Sequence, residues 1–288
     1  MASIKDIRQR MANVRTTKQV LNAMDMVSAT KLHKARSRLD GILAMHGDMK
    51  NTIDDLKRFD EIRNHPFAEN RQVKQSAYVV ITSDMGLCGS YNVNICNAAL
   101  KHMSDGKNEK ILSTGAKGCQ YFRRREKNVF CRITDASEAQ IYTGAGSLGE
   151  ITSQMFASGD VDEVFLAYTE FESTLSHIPR VERLLPLYGD LSRLDELKKG
   201  EKQVGMKYEP DAASFLDHML PLYLHMCFFV ALSHSMACEH AARMMNMESA
   251  GKNAGEIIDD LNLMYNRKRQ AAITQELNEI VSSANILQ

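Results

Sequence analysis

Residues 2 to about 58 and about 211 to 284 each read as one very long helix, and a stretch of alternating strand and helix lies between them. Helices that long and only partly apolar gain little from intrinsic propensity, so each needs a partner along its length. The nearest partner is the other arm running antiparallel, which brings the two ends of the chain together. At ~1.5 Å per residue the arms would extend roughly 80 Å and roughly 105 Å, far beyond an ordinary helix of about 11 residues.

In the first arm Ile4, Ile7, Met11, Val14, Leu21, Leu32, Leu39 and Ile42 fall on one seam stepping by three and four. Lys18, Asp25 and Ser28 interrupt that seam with polar groups. The second arm is cleaner: Leu216, Leu220, Tyr223, Cys227, Val230, His234, Ala237, Ala241 and Met244 keep the step without a miss, which is a coiled-coil stripe. Ala231, Ala237 and Ala241 would let the two helices approach closely. No proline precedes Pro66 and none follows Pro221, which is expected to mark a kink or a helix start. The alternative is a bundle of ordinary helices, with each arm broken at Gly41, Gly47, Gly251 and Gly255.

Lysine plus arginine equals aspartate plus glutamate, so the net charge is zero, which argues against nucleic-acid binding driven by bulk charge. The first arm does carry a basic excess in Lys5, Arg8, Arg10, Arg15, Lys18, Lys31, Lys34, Arg36 and Arg38. That excess fits a solvated face or an acidic partner equally well. The apolar run around Met226 to Leu232 is too short for a membrane span, so the chain is expected not to be embedded in a membrane. Cys88, Cys96, Cys119, Cys131, Cys227 and Cys238 form no CxxC pair and no zinc-spaced cluster, and read as buried thiols of a reducing compartment. Asp6 and the missing apolar core argue against reading the N-terminus as a targeting signal.

The middle opens with a β-rich run, Ser76 to Thr82, then a turn-rich loop, Ser83 to Gly89, and a helical pattern from Val93 to Met103. A strand at Lys110 to Thr114, a helix at Ala116 to Arg125, a strand at Val129 to Ile133 and a helix at Ser137 to Ser158 continue the alternation. Strands at Val164 to Thr169 and Val181 to Leu185 close it. Such alternation predicts a mostly parallel sheet of Rossmann layout, with the last strand antiparallel at an edge. Gly189 to Glu209 is charged and reads as a mobile connection to the second arm.

Gly144, Gly146 and Gly149 spell GxGxxG, with Glu170 about 20 residues on. A dinucleotide site needs a strand to deliver the first glycine to a helix N-terminus, whereas Ser137 to Tyr142 already reads as helix. The loop Ser83 to Gly89 could cradle a phosphate but lacks the GxxxxGK[ST] pattern. The histidines make no HExxH and no acid, base and nucleophile set; His225, His234 and His240 share one helix and read as packed or surface residues. No cofactor is expected.

Asn13 to Lys31 reads NVRTTKQVLNAMDMVSATK, Ser83 to Asn92 reads SDMGLCGSYN, and Met244 to Val281 reads MMNMESAGKNAGEIIDDLNLMYNRKRQAAITQELNEIV. Together, and in this order, these segments resemble the gamma subunit of the F-type ATP synthase, from residue 2 nearly to the C-terminus. The resemblance implies a rotor shaft: an antiparallel coiled coil inside a ring of alternating alpha and beta subunits, with the middle domain protruding below. Catalysis would belong to the beta subunits. The other implied partners are the epsilon subunit and the membrane c-subunit ring. The resemblance also implies that the C-terminal arm stays helical through Gly251 and Gly255.

By motif match, Arg269 and Gln270 of the RQ pair, with Thr274 and Glu276 of the following ITQE, would contact a beta subunit, and Met24 would lie at the neighbouring point of the first arm. The apolar tail Ile280 to Leu287 would turn within an apolar collar. Tyr208 and Glu209 match the family's YEP turn, and with the region around Ala44 they are assigned to the rotor foot. Leu43, Ala44 and Met45 stand where the family usually has an Arg-Pro-Tyr triad, Met85 where it commonly has arginine, and Ser90 where it commonly has glycine. The inserted cysteine pair of the chloroplast regulatory kind is absent, and the start of the sequence at the family's own start fits a bacterial protein.

The expected fold is therefore α/β with a long antiparallel coiled coil, two helical arms flanking a Rossmann-like mixed-sheet domain. Its parts would be an N-terminal arm over 1–65, the α/β domain over 66–190, a linker over 191–210 and a C-terminal arm over 211–288. The expected function is a non-catalytic central-stalk rotor coupling ion translocation to ATP synthesis or hydrolysis, peripheral on the cytoplasmic face of a bacterial inner membrane. The rivals are a dinucleotide-dependent oxidoreductase, which would bind its cofactor as an isolated chain, and a static coiled-coil scaffold.

Overall fold

The computed structural model describes residues 3–63, 65–68, 71–103, 108–133, 140–187 and 208–286, without the side chains of 60, 63, 130–133 and 281–286. Its elements in chain order are α1 (Ile4–Leu56), α2 (Asp60–Arg63), β1 (Gln75–Ile81), α3 (Tyr91–His102), β2 (Asn108–Thr114), α4 (Ala116–Arg123) and β3 (Val129–Ile133), followed by α5 (Ile141–Ala157), β4 (Glu163–Phe171), β5 (His177–Leu185) and α6 (Ala212–Ile286). The chain divides into two compact units, residues 1–29 with 243–288, and residues 30–242.

In the first unit α1 starts on a reciprocal cap. Ser3 Oγ accepts the Asp6 N–H at 3.1 Å while the Asp6 carboxylate accepts the Ser3 N–H at 2.8 Å. The bond from the Ser3 backbone holds the Asp6 carboxyl below its ordinary range. Ile7, Met11 and Leu261 then bury together, with Val14 and Tyr265 packed against them. Further along, Lys18 reaches Gly255 and Asn22 reaches Gly251, so each step forward on α1 meets an equal step back on α6. The pairing is antiparallel, as the seam predicts.

The two helices run through Gly41, Gly47, Gly251 and Gly255, so the broken-bundle alternative is set aside. A mid-helix glycine costs about 1 kcal/mol relative to alanine, an amount that side-chain packing along the helix offsets. At two of these positions the missing Cβ is used. A Cβ on Gly251 would lie 3.2 Å from Asn22 Oδ1, and one on Gly255 2.9 Å from Lys18 Nζ. The polar interruption of the seam at Lys18 is thus matched by a gap on the facing helix.

In the second unit the five strands form one sheet in the order β3-β2-β1-β4-β5. The first three neighbouring pairs are parallel and β4 with β5 is antiparallel. Tyr78, Val80, Ile111 and Ala167 of the sheet close a core with Ile95, Cys96 and Ala99 of α3 and Phe122 of α4. Strand β5 begins at His177, four residues before the expected Val181, because Pro179 and the charged residues of an edge strand hide its pattern. Five cysteines are buried free thiols, and the sixth, Cys131, lies outside the described side chains.

Helix α6 begins at Ala212, behind an Asp211 carboxylate that accepts the Ser214 N–H at 2.7 Å. Pro221 therefore lies inside the helix and does not start it, where it removes the N–H that would bond the Asp217 carbonyl. From Leu224 to Arg243 this helix is buried nearly all round, not only along the predicted seam. One side meets α1, where His46 Nε2 lies 3.7 Å from Cys227 Sγ and Arg38 donates to Met236 Sδ at 3.8 Å. The opposite side meets the sheet. A helix enclosed on two sides must be apolar on two sides, which explains a further departure from the sequence reading. By mean hydropathy, 1.5 over an 18-residue window, α6 does reach the composition of a membrane span, and half of that window is buried within the chain.

Candidate functional site: a filled crevice and an exposed helical end

Open α/β sheets bind ligands beyond the carboxyl ends of their strands, where the strand order reverses. Here that point lies between β1 and β4, and α6 occupies it. The Thr169 N–H of β4 donates to Ser235 Oγ at 3.4 Å, the Cys238 thiol donates to the Thr169 carbonyl at 3.5 Å, and the Phe171 N–H donates to His234 Nδ1 at 3.1 Å. Cys88, Tyr91, Cys238 and Ala242 bury together with Phe171 against them. Burial pushes the Cys238 thiol and the Tyr91 hydroxyl well above their ordinary pKa values.

The phosphate-binding loop considered from the sequence is spent on the chain's own groups. Asn92 Oδ1 accepts the Ser83 N–H at 2.9 Å, and Asn92 Nδ2 donates to Ser83 Oγ at 2.8 Å and to Cys88 Sγ at 3.2 Å. At the N-terminus of α4, the Asp84 carboxylate accepts the Ala116 N–H at 2.8 Å and Thr82 Oγ1 accepts the Gly118 N–H at 2.9 Å. A resident carboxylate already fills the place an anion would take.

The GxGxxG run lies on α5, and its glycines serve helix packing. A Cβ on Gly149 would sit 3.3 Å from the His225 backbone nitrogen and one on Gly146 3.5 Å from the His225 ring, whereas Gly144 faces open space. His225 Nε2 donates to the Tyr142 carbonyl at 2.9 Å. The helix starts at Ile141, and residues 134–139 lie outside the described residues. The residues present do not fit a dinucleotide, and the oxidoreductase reading ends here.

The sequence-predicted contact residues are spread over both units. In the first, Arg269, Gln270, Thr274 and Glu276 are exposed on α6. The structure brings two of them together, as Thr274 Oγ1 donates to the Gln270 carbonyl at 2.9 Å. Met24, half-buried, accepts a bond from Ser28 Oγ on its carbonyl at 2.7 Å. It is not beside Arg269: Lys268 acts on Asp6, and Met24 is 18 residues further along α1, about 27 Å of helix. The sequence reading named Ile280 at the start of its apolar tail but missed Ile273 and Leu277 among these polar groups. Ile273 (49%), Leu277 (57%) and Ile280 (64%) are exposed at a spacing of four and three. The motif match drew attention to the polar letters, although the same spacing rule marks this stripe. Of the tail to Leu287, the side chains beyond Ile280 lie outside the description.

In the second unit Tyr208 packs edge-on against Phe59 at 5.4 Å and tilted against Phe215 at 4.9 Å, beside an exposed Glu209. Ala44 is exposed on α1, 12 residues before the end of that helix at Leu56, about 18 Å away along the axis. The structure does not gather these three into one patch. Of the expected linker over 191–210, residues 191–207 lie outside the described residues.

The chain is thus a pair of long helices, one of which, within the second unit, fills the ligand crevice of a doubly wound sheet. The comparisons agree. The family described as ATP synthase matches residues 3–287. The ATP synthase gamma chain of Alkaliphilus metalliredigens is 38% identical over 284 residues, 99% of this chain and 98% of the relative. The ATP synthase gamma chain, sodium ion specific, of Acetobacterium woodii is 34% identical over 99% of both. Among solved structures, a chain of the Euglena gracilis mitochondrial ATP synthase (OSCP/F1/c-ring) shares the fold with a TM-score of 0.72 at 16% identity, covering 99% of this chain and 94% of that one. A chain of the Tetrahymena thermophila mitochondrial ATP synthase central stalk/c-ring has a TM-score of 0.62 at 24% identity, covering 80% and 99%. The chain belongs to the ATP synthase gamma chain family. Its role is that of the family, a component of the ATP synthase.

Proposed function

We propose that this chain is the non-catalytic rotor shaft of a rotary ATP synthase, peripheral on the cytoplasmic face of the membrane. It would turn within a ring of alpha and beta subunits, carry the epsilon subunit and stand on the membrane c-subunit ring. Rotation would couple ion flow to ATP synthesis or hydrolysis at the beta subunits. The observation that carries this reading is the exposed end of α6, where Arg269, Gln270, Thr274 and Glu276 alternate with the exposed Ile273 and Leu277. An apolar stripe rimmed by polar groups is the composition of an interaction surface. Arg269, Gln270, Thr274, Glu276 and Met24 are the proposed contacts to beta, and Ala44, Tyr208 and Glu209 those of the foot. The division into arms over 1–65 and 211–288, an α/β domain over 66–190 and a linker over 191–210 belongs to the same proposal.

A shaft that presents a different face to each of several chemically identical partners biases their open and closed states in turn. Swinging a two-state partner from 1:99 to 99:1 takes roughly 5.5 kcal/mol of differential contact. One charged hydrogen bond supplies about 1.5 to 3 kcal/mol, so several contacts must act together. A static scaffold would bind the same partners without affecting turnover. The test is mass spectrometry of the complex purified on a tagged chain, paired with ATP synthesis by membranes carrying Arg269→Ala with Gln270→Ala. Recovery of three alpha and three beta subunits per copy with impaired synthesis is expected. Unchanged synthesis in an assembled complex would remove those two contacts, and absence of alpha and beta would overturn the assignment.

A further inference from the structure

The stalk role leaves unused a set of buried titratable groups where α6 meets the end of β4. His234 is 7% exposed, and its Nδ1 accepts the N–H of Phe171, the last residue of β4, at 3.1 Å. A peptide N–H can only donate, so the ring must be neutral with its proton on Nε2. From β4, Tyr168 lies 5.9 Å ring to ring and Glu170 acts through its charge. That charge is shared with Arg180 of β5, whose Nε donates to the Glu170 carboxylate at 2.8 Å. From α1, His46 opposes a second positive charge on His234, and is itself flanked by Lys50 and by Glu182 of β5.

We propose that His234 is an acid-sensitive latch between α6 and β4. A proton taken up at Nδ1 turns the acceptor of the Phe171 N–H into a donor, so the two N–H groups face each other and the end of β4 is released from α6. Nearby, Ser235 and Cys238 hold Thr169 of the same strand independently of His234, and the released segment is therefore Glu170 to Phe171. Burial lowers the affinity of both histidines for protons; on His234 Glu170 pulls the other way and His46 opposes the proton, and on His46 Lys50 opposes it while Glu182 favours it. The latch stays closed at neutral pH and responds on the acid side of the ordinary imidazole range. This device is independent of the contacts proposed for the rotor surface and concerns only how α6 is seated on the sheet.

The test is hydrogen exchange of the peptide spanning residues 169–172, in the full chain within the complex with which it purifies, between pH 7.5 and 5. Rates are corrected for intrinsic exchange. Between the pKa of the open and closed states, linkage makes the opening constant rise by up to about tenfold per pH unit of acidification. Wild type should show that rise and His234→Gln, whose amide oxygen can still accept the Phe171 N–H, should show none. A pH-independent wild type would overturn the latch, and needs no variant to fold. So would a His234→Gln profile that follows wild type, or loss of the rise in His46→Gln alone, which would put the proton on His46.

Discussion

Lys18 of α1 places its Nζ 2.9 Å from the point where a Cβ on Gly255 of α6 would stand. The close approach is to the far end of a flexible side chain, and that decides what substitution does. Gly255→Ala should stabilise the chain by a few tenths to about 1 kcal/mol through helix propensity, since Lys18 can swing aside. Gly255→Leu should instead destabilise it by roughly 1 to 3 kcal/mol by forcing the helices apart. Urea denaturation of the two variants checks the change of sign.

His46, His177 and His234 are each held below the ordinary imidazole range, in every case chiefly by burial. The folded state thus binds fewer protons than the unfolded one once pH drops below the unfolded value near 6.5. Their contribution to stability is complete above that value and is lost as pH falls toward the folded pKa values. The urea midpoint should therefore decline from pH 7.5 to 5.5, and His177→Gln with His234→Gln should flatten the decline.

Gly115 has φ of 87°, and a Cβ there would lie 2.2 Å from the Thr82 carbonyl oxygen, which is backbone and cannot move aside. Gly115→Ala should cost roughly 2 to 4 kcal/mol. The expected result is a lower denaturation midpoint and a reduced soluble yield.

Ile273 and Leu277 are 49% and 57% exposed, so nothing within the described chain depends on them. Ile273→Ser with Leu277→Ser should leave the isolated chain's stability within about 0.5 kcal/mol. Salt-resistant retention of alpha and beta subunits on the tagged chain should nevertheless fall.

Much of this architecture was legible from spacing alone. The three-and-four step from Leu216 to Met244 requires a long paired helix, and the alternation from Ser76 to Leu185 requires a mostly parallel sheet, because each pattern suits only one backbone period. The contact surface was less legible. Arg269 and Gln270 came from family likeness, whereas Ile273 and Leu277 show their meaning only once the structure leaves about half of each side chain exposed. Pro179 concealed the start of β5, since an edge strand tolerates a residue without an N–H.

The sequence by itself determined the two long helices, their antiparallel pairing and the Rossmann layout, since these follow from local periodicity and from the need of a long helix for a partner. Only the tertiary structure decided what stands at the reversal point of the sheet. Thr169, Phe171 and Cys88 meet Ser235, His234 and Cys238 there from distant parts of the chain. No local pattern encodes that meeting, because an apolar helix face reads the same whether it packs on a second helix or fills a crevice.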